Sequence, residues 1–459
     1  VKPSLFLQPD QRDPAARRSS LLRLAMLSSG LSKLFGLGLQ ALAIPLVYHA
    51  LGQHRYELYL LLSAALATLA ITQMGAGPGL TQGIAKAHAS GDHQYEASLL
   101  SAAFRLVGAA AILGGAAILL VSHFIAPGAF FGAGFAGDRA EIIQVVNICV
   151  IVLMAQIFFG VVDSALAGYQ EQVLVNVGAM FSNIVSIGIL VAICRFAPSI
   201  SGVILAMYGL PTLSRMVNLA ILFSRRPYLL SEMANHSTHL YRTLLSVGMA
   251  FWLMQIGGVL EQNGGTYLLA RFSSTQDTNL FAIIYKSQSL AGAAVAMLTQ
   301  PLWPAFTDAI AHRDVAWIRR TYTKIRRLLA IYSCTLALVL GAAGAWIFSH
   351  LMHVTVDGNR LLFPVFGAYF VANIWTHLFY VTMMGMRGIW KLALILLAEN
   401  LLMLLFGALL TPPLGALGMA LAYLAASLCL PAWLLPRMMT RAIDEIANQS
   451  YTRRPPSTL

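Results

Sequence analysis

Charged side chains are scarce in this sequence: Asp, Glu, Lys and Arg make up 10% of its 459 residues, against about a quarter in an ordinary soluble domain. The shortage excludes a soluble globular protein. Cysteine is also rare, and Cys149, Cys194, Cys334 and Cys429 all fall inside apolar runs without CxxC spacing, so neither a disulfide framework nor a zinc site is indicated. No GxxxxGK[ST] loop occurs, which disfavours an ATP-driven pump. No cofactor or metal is called for. Hydrophobic residues, by contrast, make up 58% of the chain, and the mean hydropathy is +0.71. A membrane crossing needs roughly 20 apolar residues, and apolar runs tile nearly the whole chain. The pattern predicts an all-α integral membrane protein with spans at 22–48, 57–80, 98–122, 142–164, 174–194, 200–223, 244–264, 279–305, 328–349, 361–384, 391–411 and 415–436. These are twelve helices, with both termini on one side.

Lys and Arg total 30 against 18 Asp and Glu, a net charge of +12. Their positions decide what the charge means. Lys2, Arg12, Arg17 and Arg18 precede the first span, and Lys86, Arg225, Arg226 and Arg242 lie in loops on the same side. That side also carries Arg313, Arg319, Arg320, Lys324, Arg326 and Arg327, then Arg387, Arg437, Arg441, Arg453 and Arg454. The opposite side receives only Arg55, Arg139, Arg195, Arg271 and Arg360. Cytoplasmic loops hold the excess of Lys and Arg, so both termini are expected in the cytoplasm. Basic clusters beside helix ends also favour anionic membrane lipids as partners, and no nucleic acid is expected. No cleavable signal peptide is evident, because the first apolar run has the length of an uncleaved span. The longest outer loop, about 123–141, leaves no room for a folded extracytoplasmic domain.

The second half echoes the first. Thr72-Gln73 returns as Thr299-Gln300, Gly114 as Gly341 and Ser122-His123 as Ser349-His350, each 227 residues on (299−72, 341−114, 349−122). Gly168 and Asn183 return as Gly385 and Asn400, 217 residues on (385−168, 400−183), as a shorter loop in the second copy would produce. Two copies of six helices each share one orientation, forming parallel repeats about an axis along the membrane normal. The expected organisation is a cytoplasmic segment 1–21, a six-helix lobe 22–226, a linker 227–243, a second lobe 244–436 and a cytoplasmic tail 437–459.

An ionisable residue within a span marks an aqueous cavity or a snorkelling helix end. Lys33 lies near mid-membrane in the first span, on a face with Ser29, Gly36 and Gln40. Lys286 shares a face of the eighth span with Asn279, Ser289, Ala293 and Gln300, and the seventh carries Gly248, Gln255, Gly258 and Gln262. Small-residue faces also pack helix on helix, which is the preferred reading for the Gly and Ser positions. Arg105 and Arg215 sit about two turns from cytoplasmic ends, where snorkelling and binding are both open. Glu261, Glu399 and Asp163 are candidate ion-coupling residues, or partners for basic groups within the bundle. The Gly75, Gly77, Pro78, Gly79 cluster and the prolines Pro301 and Pro304 break corresponding helices, as gating hinges or plain helix ends.

Ala43-Ile44-Pro45-Leu46, Leu51-Gly52, Tyr56 to Tyr59, Met74-Gly75-Ala76-Gly77 and the Gly91-Asp92 turn resemble the polysaccharide-transport branch of the multidrug/oligosaccharidyl-lipid/polysaccharide (MOP) exporter superfamily. Within it they look like the O-antigen flippase (Wzx-type) proteins, most strongly over residues 20–125. The resemblance implies a MATE/MOP-like, two-lobed bacterial inner-membrane carrier. Its cargo would be undecaprenyl-diphosphate-linked oligosaccharide, moved by alternating access to the periplasmic leaflet for O-antigen, capsule or exopolysaccharide synthesis. Its further partners would be a polysaccharide polymerase and chain-length machinery. A diphosphate requires cationic partners, which assigns Lys33, Lys286, Arg105 and Arg215 to the phosphates and Gln40, Gln255 and Gln262 to the glycan cavity. No covalent chemistry is required, so the chain is not expected to be an enzyme. The rival readings are a cation-coupled multidrug antiporter, for which an acidic cavity is expected, and a membrane-embedded polymerase or glycosyltransferase, for which a large catalytic outer loop is expected.

Overall fold

The structure, a computed structural model, describes residues 14–70, 76–124, 137, 139–231, 238–312, 314–350, 361–384 and 388–451. Every regular element among them is helical. In chain order they are α1 (Pro14–Ala70), α2 (Ala76–Ser90), α3 (His93–Phe124), α4 (Arg139–Gly168), α5 (Gln172–Phe196), α6 (Ile200–Arg225) and the short α7 (Tyr228–Ser231). Then follow α8 (Thr238–Phe272), α9 (Thr275–Thr299), α10 (Leu302–Ala311), α11 (Val315–His350), α12 (Leu362–Met384), α13 (Ile389–Cys429) and α14 (Pro431–Tyr451). Several expectations fall on Lys2, Arg12, Thr72, Gln73, Met74, Gly75, Arg313, Arg360, Gly385, Arg387, Arg453 and Arg454, which lie outside the described residues.

Ten stretches of the described residues are long and apolar enough to cross a membrane, where the sequence predicts twelve. The difference arises at two glycines. α1 is two helices joined at Gly52, whose backbone sits at the non-helical φ 73°, ψ 169°, and α13 is two helices joined at Gly415, at φ 56°, ψ −133°. Only glycine rests in those regions without strain. Divided at these points, α1 covers the expected first span and the first part of the second, and α13 covers the expected eleventh and the first part of the twelfth.

Of the expected second span, 57–70 lie in α1 and 76–80, with Gly77, Pro78 and Gly79, open α2. Pro301 and Pro304 likewise stand between and just inside α9 and α10, since neither can donate the backbone bond that would continue α9. α5 and α13 begin 217 residues apart (389−172), the offset of the Asn183 and Asn400 match.

The chain divides into two compact units, with the boundary between Met249 and Ala250, inside α8. The first has two cores strung along α4. Ile142, Val145, Cys149 and Leu153 pack with Leu39, Ala43 and Val47 of α1 and with Ile200 and Val203 of α6. Further along, Val161, Val162, Ala165 and Leu166 pack with Leu80 and Ile84 of α2 and Leu99, Leu100 and Ala103 of α3. The second unit is centred on Phe281, Phe363, Phe366, Met419 and Tyr423. Large apolar side chains such as Leu27 (68% exposed), Leu113 (72%) and Leu338 (73%) point outwards, the inverse of a water-soluble surface and the arrangement that suits lipid.

Candidate functional site

In the first unit Lys33 is half-buried on α1, fourteen residues after Ser19 and nineteen before the Gly52 break. The small residues around it pack helices. Ser29 is buried, Asn176 of α5 donates to Ser28 Oγ at 2.9 Å and to the Ala25 carbonyl at 3.2 Å, and a Cβ at Gly36 would lie 3.4 Å from Asn183 Nδ2. Gln40 and Arg105 are exposed.

Arg215 and Asp163, read separately in the sequence, form a pair. Arg215 Nε donates to Asp163 Oδ2 at 2.7 Å, and Nη1 donates to the Gln156 carbonyl at 3.0 Å. Pro211 lies just beyond a π-helical turn at Leu205–Gly209. The turn's extra carbonyls are taken up from neighbouring helices, Ala206 by Ser186 Oγ at 2.8 Å and Tyr208 by Gln156 Nε2 at 2.9 Å. Such turns recur at functional positions, and Arg215 follows this one in the same helix.

A second polar cluster in this unit was missed by the sequence reading. Glu96 is wholly buried. Its Oε2 accepts from Tyr169 Oη at 2.8 Å and from Tyr228 Oη at 2.5 Å, and His88 Nδ1 lies 3.2 Å from Oε1. Arg226 reaches Glu171 at 2.7 Å and lies 3.8 Å over the Tyr169 ring. Burial, then the bond to Glu96, pushes the Tyr228 phenol up to about 12 and raises Tyr169 as well. For Arg226, burial pulls the other way, but the bond and ion pair with Glu171 outweigh it and raise the guanidinium. The cluster joins three helix connections: α2 to α3 at Gly91, α4 to α5 at Gln170, and α6 to α7 at Arg226.

In the second unit Glu261 of α8 is half-buried within an aromatic wall. Tyr369 Oη of α12 donates to its Oε1 at 2.7 Å, Asn373 Nδ2 approaches the same oxygen at 3.5 Å, and Tyr423 Oη of α13 donates to the Glu261 carbonyl. The Tyr423 ring stands 5.1 Å from Tyr369 and 5.6 Å from Tyr285 of α9. Glycines let the helices close on this point, since a Cβ at Gly265 would lie 2.8 Å from Tyr423 Oη and one at Gly257 3.0 Å from Asn400 Nδ2.

Glu399 accepts from Ser427 Oγ at 2.6 Å across the α13 break. Neither Glu261 nor Glu399 has a Lys, Arg or His within ion-pair distance among the described residues. Gln255, Gln262 and Lys286 are exposed and outside this cluster. Sequence reading picked out Glu261 but not Tyr369 and Asn373; their one signal is a polar i, i+4 pair in an otherwise apolar helix. A carboxylate fed by a phenol and an amide is equipped to hold and release a proton or a small cation. Among the described residues, no group of three or more His, Cys, Asp or Glu is placed to hold a metal ion.

A family model described as "Polysaccharide biosynthesis protein" matches residues 25–310. No curated protein sequence matches the chain. Among solved structures, the Vibrio cholerae MATE transporter VcmN in its bent form is 16% identical with a TM-score of 0.74, covering 94% of this chain and 98% of that one. A MOP superfamily transporter from Pyrococcus furiosus, described by the reverse polarity of its binding pocket, is 14% identical with a TM-score of 0.72, covering 94% and 97%. An outward-facing multidrug resistance MATE family transporter is 14% identical with a TM-score of 0.71, covering 95% and 98%. At these identities the likeness establishes the fold: an all-α, multi-pass membrane protein built like the MOP-superfamily transporters.

Proposed function

The chain belongs to the polysaccharide biosynthesis protein family, and from that premise we propose that it is a flippase. In this reading it carries polyprenyl-diphosphate-linked oligosaccharide from the cytoplasmic to the periplasmic leaflet of a bacterial inner membrane by alternating access, with both termini in the cytoplasm. The observation that carries the reading is Lys33, a half-buried cation midway along an apolar helix. A basic group at that depth is costly unless it faces water or a charged ligand, and a lysine serves phosphate as a point charge. Arg105, exposed in the same unit, supplies further positive charge, and Lys286, exposed in the second unit, is a separate candidate contact for phosphate. Arg215 is held by Asp163 and shapes the first unit. Glu261, with Tyr369 and Asn373, is the coupling site through which an ion gradient resets the carrier, and Glu399 lies in the same unit. The steps are binding, reorientation and release, without bond making.

The test is deletion of the gene in the organism that carries it, with lipid-linked sugars sorted by leaflet through their periplasmic accessibility. Accumulation of complete repeat units on the cytoplasmic face is the expected result. Full units that reach the periplasm unpolymerised would favour a polymerase instead. A second reading, a cation-coupled multidrug antiporter, draws on Glu261 and on the multidrug transporters that share the fold. It predicts unchanged lipid-linked sugars and increased drug sensitivity in the same deletion strain.

A further inference from the structure

The second unit carries a row of cations that the transport reading does not use. On α11, Ile318, Tyr322, Ile325 and Leu329 are buried, and they mark the face packed inward. Arg320, Lys324 and Arg327 recur at helical spacing on the opposite face, and all three are exposed. The same outward stripe continues with Ile331 (68% exposed) and Leu338 (73%). On α14, Leu435, Met439 and Ile443 are buried, while Arg437 and Arg441 are exposed and follow the outward-facing Trp433 (64%) and Leu434.

The cationic end of α11 meets the cationic end of α14, where Arg319 Nη2 lies 3.6 Å from Asp444 Oδ1. α11 leaves this end and α14 arrives at it, so both outward stripes change from apolar to cationic at the same level. Among the described residues, none of the five cations has a carboxylate within ion-pair distance; Asp444 is taken by Arg319, and Glu445 forms no ion pair there. An apolar stripe that ends in unpaired cations has the chemistry of a lipid's two parts, acyl chain and phosphate.

We propose that Arg320, Lys324 and Arg327 of α11, flanked by Arg437 and Arg441 of α14, form a docking ledge for the phosphate headgroups of anionic glycerophospholipids. The acyl chains lie along Ile331 and Leu338. The ledge is independent of the cargo, since its charges lie on the face of α11 turned away from the core of its unit. Occupancy by phosphatidylglycerol fixes the cationic ends of α11 and α14 at the level of the headgroups.

The experiment uses the full chain in nanodiscs of phosphatidylcholine with a minor share of phosphatidylglycerol, and reads retained lipid by native mass spectrometry beside the thermal midpoint. Wild type should retain phosphatidylglycerol above its bulk share, and the R320Q/K324Q/R327Q variant should lose that enrichment by on the order of fivefold per neutralised cation. The charge-preserving R320K/R327K variant should keep it, and 1 M salt should weaken it in wild type. The salt arm decides the matter if the triple variant does not fold. Equal retention of both lipids by wild type, or enrichment that survives neutralisation and high salt, would overturn the proposal. So would selective retention of an added polyprenyl diphosphate, which would make the ledge a cargo dock.

Discussion

At the scale of single residues, Lys33 and Glu261 offer opposite chemistry. Lys33 has no acidic neighbour within four residues on α1, whereas Glu261 is met by a phenol and an amide. A lysine that contacts phosphate contributes a charge-assisted bond of about 1.5–3 kcal/mol. Lys33→Ala should therefore weaken uptake of a lipid diphosphate into reconstituted vesicles by roughly 10- to 100-fold, and Lys33→Arg should weaken it far less. Unchanged uptake by the alanine variant at normal membrane levels would remove Lys33 from the phosphate site. Glu261→Gln keeps an oxygen for Tyr369 but cannot ionise. It should fold, bind cargo and fail to respond to an imposed proton or sodium gradient, so a gradient response equal to wild type would end its coupling role.

At the scale of elements, the turns and breaks carry the argument. The Glu96 cluster ties three helix connections through tyrosines that stay protonated in the folded state, Tyr228 up to about 12 against an ordinary value of 10.0. Above pH 10 the unfolded chain loses that proton while the folded chain keeps it, so stability falls as pH rises from 10 towards 12. Thermal unfolding in detergent should show this decline, and Tyr228→Phe should flatten it while lowering the midpoint at pH 7 through the loss of a bond to a carboxylate, about 1.5–3 kcal/mol.

Gly415 and Gly52 provide a second comparison at this scale. A Cβ at Gly415 would collide with the Asp277 carboxylate, whereas one at Gly52 meets open space. Both substitutions to Ala incur backbone strain of order 1–3 kcal/mol, but only Gly415→Ala adds the collision, so its melting temperature should drop further; equal drops would count against this geometry. The helices themselves could be read in the sequence because a span is a local run of apolar residues. The tyrosine partners could not, because Tyr369 meets Glu261 across 108 residues, and a lone Tyr in an apolar helix looks the same whether it faces lipid, core or a carboxylate. For the same reason Glu96, beside a predicted turn, gave no sign of being buried.

At the scale of the whole molecule, membrane thickness decides how the long helices run. α13 has 41 residues and α1 has 57, and at about 1.5 Å per residue these exceed 60 Å and 85 Å, against a hydrocarbon core of about 30 Å. Each is interrupted by its non-helical glycine, and the proposed topology turns the chain back at both. The proposed topology puts both termini in the cytoplasm, the side expected to hold the exposed cations such as Lys86, Lys324 and Arg441. Gln53 and Pro413 are exposed beside the two breaks, so in a cysteine-free background Gln53→Cys and Pro413→Cys should react with a membrane-impermeant maleimide added outside intact spheroplasts. Lys86→Cys and Arg441→Cys should react only after the membrane is opened. Protection of Pro413→Cys from the outside reagent would mean that α13 does not turn at the outer surface. Outside labelling of Arg441→Cys would invert the assigned orientation.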